Sequence, residues 1–231
     1  MKYLISLLVG TLLGATLFLL GLYYNPFVGQ ASVSPLAVSD TPVIDLIYSA
    51  VPGESILYTN NGESTIAPFP DRVGELWEPA IVDTSAWVTE LRSSRGEWVG
   101  IGIKFSSPSE QTRIVHGEAM ANSVWHIYLP EKGTFLIDQT ENYWTYLRDV
   151  VIPAYWSSSD NWRGTYHSIM TNGPGSLGTA RLTGGSGMYA DLISEAVESR
   201  TARGYSSTVG PISMSGSLSV AISNTEVVNA E

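Results

Sequence analysis

Through most of the chain, apolar and polar residues alternate with a period of two. The clearest run is Ile212 to Ile222, where Ile212, Met214, Gly216, Leu218, Val220 and Ile222 alternate with Ser213, Ser215, Ser217, Ser219 and Ala221. Successive side chains of a strand point to opposite faces, so this run predicts a strand with one buried and one wet face. Trp98 to Phe105 sets Val99, Ile101, Ile103 and Phe105 on one face and its glycines and Lys104 on the other. It follows Trp87–Leu91 through Arg92-Ser93-Ser94-Arg95-Gly96, which has hairpin-loop composition. A second hairpin is predicted from Val124–Leu129 through Pro130-Glu131-Lys132-Gly133 to Thr134–Ile137, and Asn60-Asn61-Gly62 signals a turn after Ile56-Leu57-Tyr58. Further strands are expected at Thr165–Thr171, Leu177–Leu182 and Ala196–Arg203. Short strands separated by turn chemistry at near-regular spacing predict a mainly β fold, read as an antiparallel, eight-stranded β-barrel.

Two segments depart from this period. Asp138-Gln139-Thr140-Glu141 has the spacing of a capping box, and Tyr143, Tyr146, Leu147, Val150 and Val151 recur at three and four residues before Pro153. One amphipathic helix is therefore expected, covering a sheet face or plugging a barrel mouth. Leu4 through Leu22 carries no charged side chain, and at the helical rise it spans about 28 Å, close to the hydrocarbon thickness of a bilayer. It predicts an N-terminal transmembrane helix, either a retained anchor or a signal segment. The length of the run and Tyr23-Tyr24 at its end favour retention, whereas Gly29-Gln30-Ala31 has the small-x-small form of a cleavage site.

Residues 1–28 are accordingly read as anchor or signal, 29–42 as a proline-containing linker, 43–223 as one β-barrel domain and 224–231 as a polar tail. Lys2 is the only charged side chain before Asp40, so the positive-inside bias places the N-terminus in the cytoplasm and the barrel on the extracytoplasmic, periplasmic or extracellular, side. The 231-residue chain has 12 Lys and Arg against 22 Asp and Glu, a net charge of −10, which argues against a nucleic-acid partner. With no cysteine, the domain must be held by its core rather than by disulfides.

Candidate chemistry is sparse, and no catalytic residue is assigned. Gly173-Pro174-Gly175-Ser176-Leu177-Gly178 matches G-x-G-x-x-G, but an alternating strand rather than a helix follows it, so a loop is expected and no nucleotide cofactor. His116-Gly117-Glu118 has no cysteine with which to complete a zinc site, and no metal is expected. His126 and His167 each lie on one face of a predicted strand. If those faces look inward, the imidazoles meet Asp138 or Arg181 as an acid–base pair; otherwise they are structural. Tyr143, Trp144, Tyr146, Tyr155, Trp156, Trp162 and Tyr166 crowd together around Asp160 and Asn161. Such rings pack a helix onto a sheet, line an apolar pocket or stack on sugars. The ligand-binding candidates are His126, His167, Arg181, Asp138, Tyr166, Trp156 and Trp162.

Leu177 through Leu192, with Gly184-Gly185-Ser186-Gly187-Met188-Tyr189 at its centre, resembles the strand, Gly-Gly-x-Gly-aromatic turn and return strand of the barrels of allene oxide cyclases and dirigent proteins. The resemblance implies an eight-stranded barrel that steers ring closure or coupling of a reactive intermediate in its cavity, and it transfers no catalytic residue. The expected function is binding of a small, largely apolar molecule in the barrel cavity. The alternatives are a cyclase or isomerase of that kind, and a structural or glycan-binding envelope module using the Tyr143–Tyr166 aromatics. The expected partners are the bilayer, through residues 4–22, and the small ligand or glycan.

Overall fold

A computed structural model of the chain describes residues 2–24, 36, 42–51, 57–60, 63–65 and 83–222. Its strands in chain order are β1 Val43–Ser49, β2 Leu57–Asn60, β3 Glu63–Thr65, β4 Ser85–Arg92, β5 Trp98–Pro108, β6 Met120–Leu129, β7 Gly133–Asn142, β8 Asn161–Ile169, β9 Thr171–Gly173, β10 Ala180–Gly185, β11 Glu195–Ser206 and β12 Gly210–Ala221. All pair antiparallel, and the path β1-β12-β11-β10-β7-β6-β5-β4 is closed by a pairing of β4 with β1 at Arg92 and Ile47. The result is a closed eight-stranded barrel. One wall position is shared: between β7 and β11, β10 fills one end while β8 and β9 fill the other. The β2–β3 hairpin pairs along the other edge of β4, at Trp87 and Val88.

The predicted hairpins β4–β5 and β6–β7 form with their expected turns, and β12 runs in the expected period. Asn61-Gly62, most of the 29–42 linker with Gly29-Gln30-Ala31, and the 224–231 tail lie outside the described residues.

β5 turns the other way from what its composition suggests. Gly100, Gly102 and Lys104 are buried, while Phe105 is exposed and Val99, Ile101 and Ile103 are half-buried. Bulky neighbours explain this: a Cβ on Gly102 would lie 2.8 Å from the Trp125 ring, so a strand facing that indole has to be bare. The same exchange recurs at Gly216, where any Cβ would overlap the ring of Tyr48. Around these rings Leu46, Leu91, Ile127, Phe135, Ile137, Leu182, Leu218 and Val220 fill one half of the lumen.

The capping-box expectation is also corrected. Asp138 to Glu141 stays in β7, with Gln139 and Glu141 fully buried in the lumen. The helical segment starts at α2 Trp144–Tyr146 and is capped by Asn142, whose Oδ1 accepts the Trp144 N–H at 2.9 Å. It continues through a π-helical turn, Leu147–Val151, into α3 Ile152–Trp156. Pro153 does not stop it: it stands at the second residue of α3, directly after the π-helical turn, and the chain runs on to Trp156.

Lys2–Tyr23 forms one helix, apolar and long enough to cross a membrane as an anchor or to serve as a signal sequence. Its hydroxyls are satisfied within it: Ser6, Thr11 and Thr16 each donate to the carbonyl four residues back. Because Tyr48 is pinned over Gly216, Gly216→Ala is expected to cost about 1–3 kcal/mol in a denaturant titration, despite adding a single methyl group.

Candidate functional site

The other half of the lumen is polar. Period-two geometry from Phe135 and Ile137 carries Gln139 and Glu141 inward on β7, and the same rule on β11 turns Glu198 and Arg200 inward beside Ala196. Lys104 of β5 reaches into the same space. Its Nζ donates to Glu141 Oε1 and to both Glu198 oxygens, each at 2.8 Å. Glu198 also accepts from Trp125 Nε1 at 2.9 Å and from the Tyr48 hydroxyl and the Gln139 amide. Glu141 accepts from Ser123 Oγ at 2.8 Å and from the Tyr143 hydroxyl at 3.2 Å. Arg200 stands at the rim of this cluster, with Nη2 3.7 Å from Glu198 and 3.4 Å from the Tyr143 hydroxyl.

Both carboxylates are wholly buried, and two cations face them. Burial alone would raise the Glu198 carboxyl, but the charges of Lys104 and Arg200 and the hydrogen bonds from Lys104 and Trp125 outweigh it and hold the group at about 2. Burial opposes the charge on Lys104 as well, yet the two glutamates keep it firmly protonated. Burial raises the hydroxyls of Tyr48, Tyr143 and Tyr146, with Glu198 adding to the effect at Tyr48, so these phenols stay neutral donors.

Beyond this polar layer, towards the end covered by the 144–156 helical segment, lies a cavity of about 300 Å³. Its walls are Trp87, Tyr146, Tyr205, Pro211 and Met214, and Lys104, Arg200, Tyr48 and Tyr143 reach it from the charged layer. The guanidinium of Arg200 packs over the rings of Tyr143 and Tyr146, 5.0 and 5.9 Å from their centroids. A larger hollow of about 780 Å³ lies at the β1–β4 seam, but it opens widely between Ile47, Glu90, Arg92 and Arg203 and lacks an aromatic enclosure. The smaller chamber has the shape and chemistry of a ligand site.

None of the seven residues singled out from sequence lines that chamber. His126 is exposed on the outer face of β6. His167 is exposed on β8, with Nδ1 2.9 Å from Thr201 Oγ1. Arg181 and Asp138 are register neighbours on β10 and β7, both on the outside, and Arg181 donates to the Pro174 carbonyl at 3.3 Å. The two imidazoles are therefore not lumenal, because alternation points Trp125 and Ile127 inward in place of His126. Tyr166 is buried under the helical segment with its hydroxyl 3.0 Å from Thr145 Oγ1. Trp162 is half-buried in the same aromatic cluster, and Trp156 is 73% exposed, with its ring centroid 5.5 Å from that of Tyr23 at the end of the N-terminal helix. The 173–178 glycines form the loop between β9 and β10, as expected.

Sequence reasoning missed Lys104, Glu141, Glu198, Arg200 and Tyr48. One signal was present: Glu198 and Arg200 share strand parity with Ala196, a buried-face residue, and Lys104 shares it with two glycines. The chain matches no described protein family and none of the curated proteins with which it was compared.

Two outcomes follow from the charge cluster. Lys104→Met leaves two buried carboxylates facing one cation and is expected to destabilise the fold by about 3–5 kcal/mol; adding Glu198→Gln restores charge balance and much of that loss, measured by urea unfolding. Since folding depresses Glu198, its contribution is present above the ordinary carboxylate range and lost as the pH falls through its folded value. Thermal stability should therefore decline between about pH 4.5 and pH 2, less steeply in Glu198→Gln.

Proposed function

We propose that this protein is a membrane-anchored, extracytoplasmic barrel that binds a small, largely apolar molecule in the aromatic chamber at one end of its lumen. The observation that carries this reading is the division of the lumen. One half is packed solid around Trp125 and Phe135, while the other is capped by a charged layer that leaves a cleft of about 300 Å³ lined by Trp87, Tyr146, Tyr205, Pro211 and Met214. Concave, mainly apolar walls with a few convergent polar groups are what ligand sites are built from. The volume suits roughly ten non-hydrogen atoms at a liquid water's share of about 30 Å³ each.

The placement outside the cytosol draws on the charge-free Leu4–Leu22 run behind Lys2 and on the absence of any thiol. The exposed pair Tyr155 and Trp156 supports a location close to the lipid. These rings sit at the end of the helical segment over the chamber, and Trp156 touches Tyr23 at the end of the apolar helix. Amphipathic rings at that place suit the headgroup region better than a sugar platform.

The full-length protein in detergent should bind the neutral aromatic 2-naphthol with saturable quenching of tryptophan emission, since Trp87 lines the chamber. Met214→Trp, which fills the chamber, should abolish saturation while preserving the circular dichroism spectrum. Absence of binding, or equal binding by Met214→Trp, would sink the reading.

A further inference from the structure

The charged layer balances two carboxylates against two cations, but only one of its ions turns unused hydrogen-bonding capacity to the chamber. Glu141 and Glu198 are fully buried, and their oxygens are occupied by Lys104, Ser123, Trp125, Gln139, Tyr48 and Tyr143. Lys104 uses all three of its ammonium hydrogens on those carboxylates. Arg200 is different. It is 8% exposed, and among the described residues its one hydrogen bond runs from Nη2 to the Tyr143 hydroxyl at 3.4 Å, with its buried Nε without a partner and Glu198 3.7 Å away. The Glu198 oxygens already accept from Lys104, Trp125, Gln139 and Tyr48, so the guanidinium, 3.7 Å away, balances their charge without giving up its hydrogen-bonding edge. The Tyr143 and Tyr146 rings hold that guanidinium in place against the cavity. The same chamber is lined by Ser106 and by Tyr146, whose buried hydroxyl has no hydrogen-bond partner among the described residues.

A buried group with unmade hydrogen bonds costs stability. A guanidinium with a free edge against aromatic walls is the fork that matches a carboxylate. A cationic ligand would meet that same edge and find both carboxylates already occupied. Resting on the small-molecule reading above, we propose that the physiological ligand is a small aromatic or alicyclic carboxylic acid. It enters with its ring between Trp87, Tyr146, Tyr205 and Met214 and its carboxylate on Arg200. The charged layer thus serves as the floor of an acid-selective site. The selectivity comes from Arg200 being the one ion in the layer whose hydrogen-bonding capacity is largely unused among the described residues.

The test compares 3-phenylpropionate with 3-phenylpropionamide, which share size and shape and differ in charge, by isothermal titration of the full-length protein in detergent. The acid is expected to bind at least about tenfold tighter than the amide, as a charge-assisted pair in a desolvated site allows. Arg200→Lys, which keeps the charge but loses the fork, should narrow that ratio severalfold, and Arg200→Gln should erase it. Tyr146→Phe removes an unpaired buried hydroxyl, so it should leave thermal stability unchanged or raised; this keeps the test available if Arg200→Gln fails to fold. Acid binding weakened by a larger factor than amide binding in Tyr146→Phe supports the site. Equal affinity for acid and amide, or a preference for the acid that survives both Arg200→Lys and Tyr146→Phe, overturns the acid assignment and leaves the apolar chamber standing. Failure of the acid, the amide and 2-naphthol alike overturns both.

Discussion

Four buried charges hold the barrel to one arrangement. Glu198 is reached by Lys104 from β5, Trp125 from β6, Gln139 from β7 and Tyr48 from β1, so a single carboxylate on β11 ties together strands from around the whole wall. Sliding any of these strands by one residue would turn its contributor to the outside and leave the carboxylate buried with a donor missing. In a chain without disulfides, this network sets which residue faces which across the lumen, and the apolar half supplies the bulk of the burial. Ion clusters of this kind add little net stability compared with a greasy filling, but they penalise every wrong pairing heavily.

The chamber is a by-product of that arrangement. The polar layer cannot collapse onto the helical segment without stripping Lys104 or Glu141 of partners, so space remains between it and the aromatic lid of Tyr146 and Tyr205. The segment over that space is itself irregular: the π-helical turn at Leu147–Val151 bends it around Val150, which is fully buried, and leaves Tyr155 and Trp156 on its outer end. The charged floor is thus set by β7 and β11 with Lys104 of β5, and the mouth by the 144–156 stretch.

Much of the fold was legible because most strands obey the alternation rule locally. β12 shows its faces openly, and the β4–β5 and β6–β7 hairpins announce their turns. The failures share one cause. β5 reads inside out because its inner face is made of glycines and one lysine, residues that follow from what stands opposite them and not from their own hydrophobicity. Gln139 and Glu141 imitate the opening of a helix because a buried polar pair has the same letters as a capping box. The histidines drew interest as titratable groups on strands, yet what decides between inside and outside is parity with neighbours: His126 sits between Trp125 and Ile127, and those two take the interior. The site stayed hidden because Tyr48, Lys104, Glu141, Glu198 and Arg200 lie on four strands far apart in sequence, and of these strands only β11 carries two of them.

The bare positions have a consequence for how this barrel can change over generations. Gly102 exists to admit the Trp125 indole and Gly216 to admit the Tyr48 phenol, so each pair divides a fixed volume between two sites on different strands. A descendant gaining a side chain at either glycine must first shrink its opposite number. Shrinking Tyr48 or Trp125 in turn takes a donor from Glu198. Drift in the interior is therefore confined to concerted exchanges, and the outer surface is left as the ground on which substitutions can accumulate one at a time.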